Sequence, residues 1–397
     1  MIHQEVGLHR KYKLLDYIFY MNMLLLSIEY INLNEDISVF RLGIFPLSIV
    51  GVYFISQIPW KKDIIFYSII SLSLIGNIIS SLSYQTNYYL GIINSFGIFI
   101  FILFTLSYIR INGFSRQMLF VLSLYSLPHL FMFIFWYNDL ELITFTNSSA
   151  RFKGLHQDPN FMTIYISIAL ISKLYLLKYN TRKWKVVLYF SIVLDSLLVI
   201  YSQSKGGILA LLFAFVLYLV LNKKILSIVI LLPLLILMLI IFRELYQTMM
   251  YSSDFNIYEA IIWRFFDGYN MVQSESDARY MHAQQFMNLL LENKTTFIGY
   301  TRERYLHSFW QYPHNLLIDI VLEQGFVIGM LLILYVVYLI KKGFVLSLYC
   351  YRSRILLHIS LVVFLSSLFL SSYTSKLFWL MLIMIYMSTK KNEVYGQ

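Results

Sequence analysis

The stretch HNLLIDIVLEQGFVIGMLLILYVVYLI, from His314 to Ile340, is apolar over a length that can cross a lipid bilayer. A membrane-spanning helix needs about 20 mostly apolar residues, so this run predicts such a helix. Its first turns are polar on one side, because Asn315, Asp319 and Glu323 recur every four residues. Acids inside a membrane are expected to have a function or a cationic partner. The alternative is a helix cap followed by interhelical salt bridges.

The rest of the chain repeats this apolar pattern. Of its 397 residues, 59% are hydrophobic and 13% are charged, which is typical of integral membrane proteins. We therefore predict an all-α, polytopic fold with about twelve transmembrane helices. The whole chain, residues 1–397, would form a single integral membrane domain. The predicted spans are 14–33, 40–58, 64–82, 89–109, 118–137, 159–177, 186–202, 207–221, 225–242, 314–340, 355–371 and 374–389.

Positive charge marks alternate connections between these spans. By the positive-inside bias, the connections that concentrate Lys and Arg are cytoplasmic, and so are both termini. The net charge of +10 then reflects contact with anionic lipid. No long basic stretch interleaved with aromatic residues indicates a nucleic-acid partner. Besides the N-terminus, the basic connections are 59–63, 110–116, 178–185, 222–224, 341–354 and 390–391.

Two outer connections carry a cation within a short motif. In RFKGLHQDPN, 151–160, Arg151 stands above a helix start that has Pro159 at its first position. In SQSKGG, 202–207, Lys205 lies at the apex of a tight hairpin. An interfacial arginine and an ordinary turn are the plain alternatives. A positive charge on an outer loop nevertheless runs against the prevailing bias.

The long segment 243–313 falls on the outer side, between the ninth and tenth spans. A structureless loop of this length would be unusual, so we expect a small helical external subdomain. Arg279 begins an amphipathic stretch within it, although its charge could simply pair with Glu275 or Asp277. The segment ends at His314, whose side chain has a pKa suited to proton transfer near neutrality.

Span parity places four of these residues at one membrane face: Arg151, Lys205, Arg279 and His314. Three fixed cations suit a diphosphate, and a nearby histidine suits deprotonation of an attacking hydroxyl. The pattern therefore predicts a transfer reaction with a phosphate leaving group. The sequence has no metal-ligand cluster, Walker loop or nucleophile elbow, so we predict neither a metal nor a cofactor.

In this order, the motifs resemble the O-antigen polymerase and O-antigen ligase superfamily of bacterial envelope glycosyltransferases. The resemblance covers the C-terminal two-thirds of the chain, and the first five spans match only as membrane helices. The family usually carries arginine where this chain has Lys205. The matching pieces are RFKGLHQDPN, SQSKGG, ARYMHAQQFM with the later IGY, and PHNLLIDIVLEQGFVIG.

The resemblance implies a metal-independent transferase of the bacterial inner membrane, acting on the periplasmic face. Its donor would be a glycan on undecaprenyl diphosphate. It makes His314 the base that activates the acceptor, and Arg151 and Arg279 the diphosphate partners. Asn315, Asp319 and Glu323 would support the site. Expected partners are the lipid-linked oligosaccharide, membrane lipids, a chain-length regulator and a flippase.

Three functions stay open at this point. We favour a repeat-unit polymerase of the O-antigen or capsule type over a ligase that moves finished glycan onto lipid A core. A transporter or lipid-oligosaccharide flippase would also suit twelve spans with both ends inside. Such transporters often carry their long connection in the middle of the chain, on the cytoplasmic side. Here the long connection is predicted to be external and follows the ninth span, which argues against transport. Asp195, an acid in the seventh span, is either structural or a partner for a site cation.

Overall fold

The computed structural model describes most of the chain outside the external segment. The ninth predicted span and nearly all of segment 243–313 lie outside the described residues, so their predictions stay predictions. The described residues are 2–29, 32–34, 37–55, 63–83, 88–137, 152, 154–155, 159–202, 204–222, 288, 299, 315–368 and 375–390.

The described residues are almost entirely helical, as predicted. One short antiparallel pair joins β1 (Asn32–Asn34) to β2 (Ile37–Ser38). A π-helical turn spans Phe40–Ile44, and 3₁₀ turns span Leu124–Ser126 and Leu177–Tyr179. The helices are α1 (Ile2–Leu26), α2 (Phe45–Phe54), α3 (Ile64–Ser83), α4 (Tyr88–Asn112), α5 (Arg116–Ser123), α6 (Leu127–Tyr137), α7 (Pro159–Leu176), α8 (Arg182–Tyr201), α9 (Lys205–Leu221), α10 (Leu316–Gln324), α11 (Phe326–Ser347), α12 (Tyr351–Ser367) and α13 (Lys376–Ser388).

Five helical stretches of the described part are long and apolar enough to cross a membrane. Four further apolar helices are shorter: Arg41–Phe54, Ile64–Ser80, Gly206–Leu221 and Lys376–Ser388. These helices agree with a polytopic membrane protein, but they do not confirm a count of twelve spans. The five longer stretches are Gly91–Asn112, Arg116–Ile134, Pro159–Tyr179, Arg182–Tyr201 and Phe326–Ser347.

Two helices form the centre of the bundle. In α13, every residue from Leu377 to Ser388 is buried, and α7 is buried from Met162 to Leu176. Helices α8 and α11 lie at the periphery, where large apolar side chains such as Phe190 and Leu334 are exposed. A helix that is apolar all round is stable either inside a bundle or against lipid. The exposed faces of α8 and α11 are therefore suited to contact hydrocarbon.

One end of the bundle is organised around a buried acid, Asp63, and is called the Asp63 end. The Asp63 carboxylate precedes α3, pairs with Arg110 of α4 and accepts a hydrogen bond from the Tyr386 hydroxyl of α13. The Lys390 ammonium lies 3.4 Å from the same carboxylate. Burial lowers the pKa of Lys390, and the Asp63 charge opposes that shift. Asp63, Arg110 and Lys390 fall within connections that the charge pattern predicts to be cytoplasmic.

The opposite end is organised around Glu29, which follows α1, and is called the Glu29 end. The buried carboxylate accepts hydrogen bonds from the Tyr165 hydroxyl of α7 at 2.8 Å and the Ser375 hydroxyl at 2.6 Å. The backbone N–H of Lys376, the first residue of α13, donates to the other carboxylate oxygen at 3.0 Å. An acid is favoured at a helix N-terminus, so Glu29 ties the ends of α1, α7 and α13 together.

The tenth predicted span, 314–340, is wrong as a single helix. The chain breaks at Gly325, whose φ of 80° is accessible to glycine but strained for other residues. Helix α10 ends at Gln324, and α11 begins at Phe326 and alone is long enough to cross the membrane. Hydropathy cannot detect this break, because apolar residues lie on both sides of it.

Candidate functional site

The RFKGLHQDPN and SQSKGG motifs are in direct contact. Ser204 caps α9, because its hydroxyl oxygen accepts a hydrogen bond from the Gly207 N–H at 2.9 Å. The same hydroxyl donates to the Asn160 side-chain oxygen in the first turn of α7. Pro159 is the first residue of α7, as predicted. A single buried serine therefore fixes the start of α9 against the start of α7.

Gly207 brings the two helices still closer together. A Cβ atom at this position would overlap the side chain of Thr163, one turn into α7. The Thr163 hydroxyl donates to the Asn160 carbonyl oxygen at 2.8 Å, so its rotamer is held by its own helix. Gly207, the second glycine of SQSKGG, is therefore needed for the packing of α9 against α7. Ser204, the N-cap of α9, directly precedes Lys205.

The beginning of the RFKGLHQDPN motif contacts the end of α8, beside the same junction. The backbone N–H of Phe152 donates to the Tyr201 carbonyl oxygen at 3.2 Å, and the Phe152 ring packs edge-on against Phe133. Gly154 has a φ of 61°, and a Cβ there would lie 2.6 Å from the Nδ1 atom of buried His129. Phe152, which follows Arg151, and Ser204, which precedes Lys205, thus belong to one packed unit.

The PHN motif begins α10 as a capped helix. The Asn315 side-chain oxygen accepts hydrogen bonds from the N–H groups of Leu317 at 2.9 Å and Ile318 at 3.3 Å. This cap confirms the helix start predicted at that position. It also fixes the point at which the chain leaves His314 and enters the helix.

Helix α10 carries the predicted polar stripe inside the protein rather than toward lipid. Asp319 and Glu323 are both buried, as is the neighbouring Gln324. Leu316 and Ile320, which lie beside these acids on the same helical face, belong to the main apolar core. An acid held in such surroundings is costly unless it is hydrogen-bonded or paired.

These motif segments lie at the Glu29 end of the bundle. Helix α7 begins there, since Tyr165 bonds to Glu29, and Ser204 attaches α9 to the same helix start. Helix α3 begins at Asp63, so its residue Asn77 lies toward the other end, and Asn77 contacts Gln324 of α10. Contacts among described residues thus place the starts of α7 and α9 at one end and the last residue of α10 toward that end.

The predicted cations and base are not themselves described. Arg151, Arg279 and His314 lie outside the described residues, and so does the side chain of Lys205, although its backbone begins α9. Their convergence on one cavity stays a prediction. Within the described ranges, no group of three or more His, Cys, Asp or Glu side chains could hold a metal ion. Metal independence likewise stays a prediction.

Asp195 belongs to a buried ion pair within the membrane helices. Its carboxylate lies 2.6 Å from the Lys173 ammonium of α7, and Lys173 also donates to the Ser126 hydroxyl at 2.9 Å. Of the two interpretations of Asp195, the pair supports a structural acid rather than a partner for Arg151 or Lys205. The sequence gives one indication of this ion pair, because Lys173 is a charged residue within a predicted span and would need a partner there.

Substitution of Gly329 tests the packing of the broken span. A Cβ at this position would lie 2.7 Å from the Val321 Cα, which is backbone and cannot move aside. We expect Gly329→Ala to destabilise the protein by about 1–3 kcal/mol because α10 and α11 must separate. Thermal unfolding of the purified protein in detergent measures the loss.

Gly76→Ala provides the matched control at the same junction. Its Cβ would meet the Ile328 Cδ1 atom at 3.3 Å, and the tip of an isoleucine can shift. Alanine also favours a helix by about 1 kcal/mol relative to glycine. Equal losses of stability in both variants would show that the two helices do not pack as described.

Residues 190–334 match the family model described as O-Antigen ligase. The predicted resemblance to the O-antigen polymerase and ligase superfamily is thereby confirmed. The matched region includes SQSKGG, Arg279 and the PHN motif, but it begins after Arg151. Members of this family are membrane glycosyltransferase-like enzymes that act on lipid-linked oligosaccharides. No curated protein matches the chain at a significant level.

Proposed function

We propose that the protein is a repeat-unit polymerase of a bacterial surface polysaccharide. It would transfer a growing glycan from undecaprenyl diphosphate to a hydroxyl of the next lipid-linked repeat unit. The observation that carries this proposal is the junction of motifs at the Glu29 end. Ser204 joins the Lys205 helix to the helix that follows Arg151, and Asn315 caps the helix that follows His314.

In the proposed reaction, the acceptor hydroxyl oxygen attacks the anomeric carbon of the donor glycan. A new carbon–oxygen bond forms as the bond from that carbon to the diphosphate oxygen breaks. His314 takes the hydroxyl proton, and the electron pair of the broken bond leaves with undecaprenyl diphosphate. Arg151, Lys205 and Arg279 would neutralise the charge that develops on the leaving group.

The two acids of α10, Asp319 and Glu323, would position a cation of the site. Asp319 and Glu323 are buried on the helix that begins beside His314, so they are placed to hold an arginine from the external segment. Such a pair would leave the His314 imidazole neutral and able to accept a proton. The buried position of both acids supports this role over a solvent-facing one.

The proposed setting is the bacterial inner membrane, with both termini in the cytoplasm and the reaction on the periplasmic face. The apolar helices and the family match support a bacterial membrane protein. The basic residues gathered near the Asp63 end support a cytoplasmic location for that end. The motif junction lies at the other end. A chain-length regulator and a flippase are proposed as functional partners.

The alternative function is that of an O-antigen ligase, and it is supported by the description of the matching family as O-Antigen ligase. A ligase would use the same donor and the same leaving group, but its acceptor would be lipid A core. Polymerase is preferred here on the DPN sequence of the first motif, residues 158–160. Transport is disfavoured because the matched family consists of glycosyltransferase-like enzymes.

Deletion of the gene in its native strain distinguishes these functions. Loss of a polymerase should leave single repeat units on the surface carrier, visible as one band in place of a ladder on a polysaccharide gel. Loss of a ligase should leave full-length glycan on undecaprenyl diphosphate, with none on lipid A core. Loss of a flippase should leave repeat units inaccessible from outside. Either of the last two results would reject the polymerase assignment.

A further inference from the structure

Helix α3, which precedes the matched region and carries none of the motif residues, meets two motif segments near its end. The Asn77 side-chain oxygen accepts a hydrogen bond from the Gln324 amide nitrogen of α10 at 2.9 Å. One turn later, the Ser80 hydroxyl donates to the carbonyl oxygen of Gly299, the glycine of the IGY piece. Gly76 adjoins the same contact, because a Cβ there would lie 3.7 Å from the Gln324 carbonyl oxygen.

The backbone of Gly299 packs directly against the backbone at the end of α10. A displacement of one segment is therefore passed to the other without side chains between them to absorb it. A Cβ on Gly299 would overlap the Glu323 carbonyl group at the end of α10. The next residue but one, Gly325, carries the positive φ that breaks the span. Gly299 of the external segment and the end of α10, which directly precedes the break at Gly325, thus meet at one turn of α3.

The polar contacts at this stack involve buried side chains. Gln324 is fully buried and Ser80 is 1% exposed, while Asn77 is half-buried. Loss of a hydrogen-bond partner is costly for a buried amide, and a shift or rotation of the helix can reduce that cost. The amide pair is therefore placed to restrict the rotation of α10 about its own axis.

We propose that Asn77 is a positioning residue for the transfer reaction. By holding Gln324, it sets the place of α10 relative to Gly299 of the external segment. His314 precedes α10 and Arg279 belongs to that segment, so the contact would set the spacing between base and diphosphate-binding cation. This role rests on the proposed function. It assigns a part in the site to a helix outside the region matched by the family.

The chemistry of the pair defines two informative variants. Asn77→Ala removes the acceptor of this hydrogen bond. The double change Asn77→Gln with Gln324→Asn exchanges the two amides and keeps the combined side-chain length, so it can restore the bond. Ser68→Ala, at an exposed position of the same helix, is the matched control.

The test measures transfer kinetics and backbone protection on the full-length protein in nanodiscs. With a lipid-diphosphate repeat unit as substrate, we expect Asn77→Ala to lower kcat by about ten- to a hundredfold, as misplacement of reacting groups does. The KM for the donor and the unfolding temperature should stay close to those of wild type. The exchanged pair should recover most of the activity, and Ser68→Ala should behave like wild type.

Hydrogen exchange supplies a readout that does not need activity. In Asn77→Ala, the amides of residues 317–324 should exchange faster than in wild type, with unchanged exchange in α13. Unchanged protection of 317–324, or a loss of kcat that simply follows a lower unfolding temperature, would overturn the positioning role. If wild type transfers no glycan, the proposed function fails, whereas the exchange result still decides whether Asn77 holds α10.

Discussion

Cells carrying His314→Ala in place of the native protein are expected to lose chain extension and to display at most a single repeat unit. The alanine cannot accept the acceptor's proton, and general-base catalysis typically contributes about 10²–10⁴ in rate. That loss is enough to collapse a polymer ladder to one band on a gel. Expression and folding should be retained, because the Asn315 side chain still caps α10 without the imidazole.

A second histidine of the external segment provides the control. His307 lies in the same segment but outside the PHN motif, so His307→Ala should leave the ladder unchanged. The amount of each variant in the membrane fraction must equal that of wild type. A normal ladder from His314→Ala would make the histidine structural, and the base would have to be sought elsewhere.

The second large effect is expected at the cations. Arg279→Ala should nearly abolish polymer, since it leaves charge on the diphosphate uncompensated at a cost of about 3 kcal/mol, or roughly a hundredfold in rate. Lys205→Ala should also be impaired. Lys205→Arg should retain more activity because it keeps the positive charge and adds a bidentate fork. Quantified ladders and the membrane level of each variant measure the effect.

Arg302 serves as the matched control for the arginine variant, because it lies in the same external segment outside the motifs. Arg302→Ala should produce a normal ladder. Normal polymer from both Arg279→Ala and Lys205→Ala would rule out the proposed neutralisation of the diphosphate. A loss with Arg302→Ala equal to that with Arg279→Ala would indicate a general requirement for charge in this segment.

Local signals in the sequence predicted the helix starts well. Proline at the first position of α7 and asparagine before α10 act through backbone groups within a few residues, so the sequence alone determines them. The polar stripe of Asp319 and Glu323 was also predictable, since helical periodicity places residues four apart on one face. In the structure both acids are buried inside the protein.

Long-range pairing could not be predicted in the same way. Gln324 meets Asn77, Ser204 meets Asn160 and Lys173 meets Asp195 only after the helices pack, and none of these side chains identifies its partner in the sequence. The break at Gly325 could not be predicted from the sequence for a related reason. One glycine in an apolar run is compatible with a continuous helix, and only the packing of α10 against α11 shows that the chain bends there.

The most direct test of glycosyl transfer uses the purified protein in nanodiscs with an undecaprenyl-diphosphate-linked repeat unit from its own strain. Mass spectrometry should detect lengthened lipid-linked glycan together with one released undecaprenyl diphosphate for each new glycosidic bond. Both products should be absent with His314→Ala and present with His307→Ala. Glycan that is bound yet never lengthened, with no undecaprenyl diphosphate released by the wild-type protein, would contradict the proposed function.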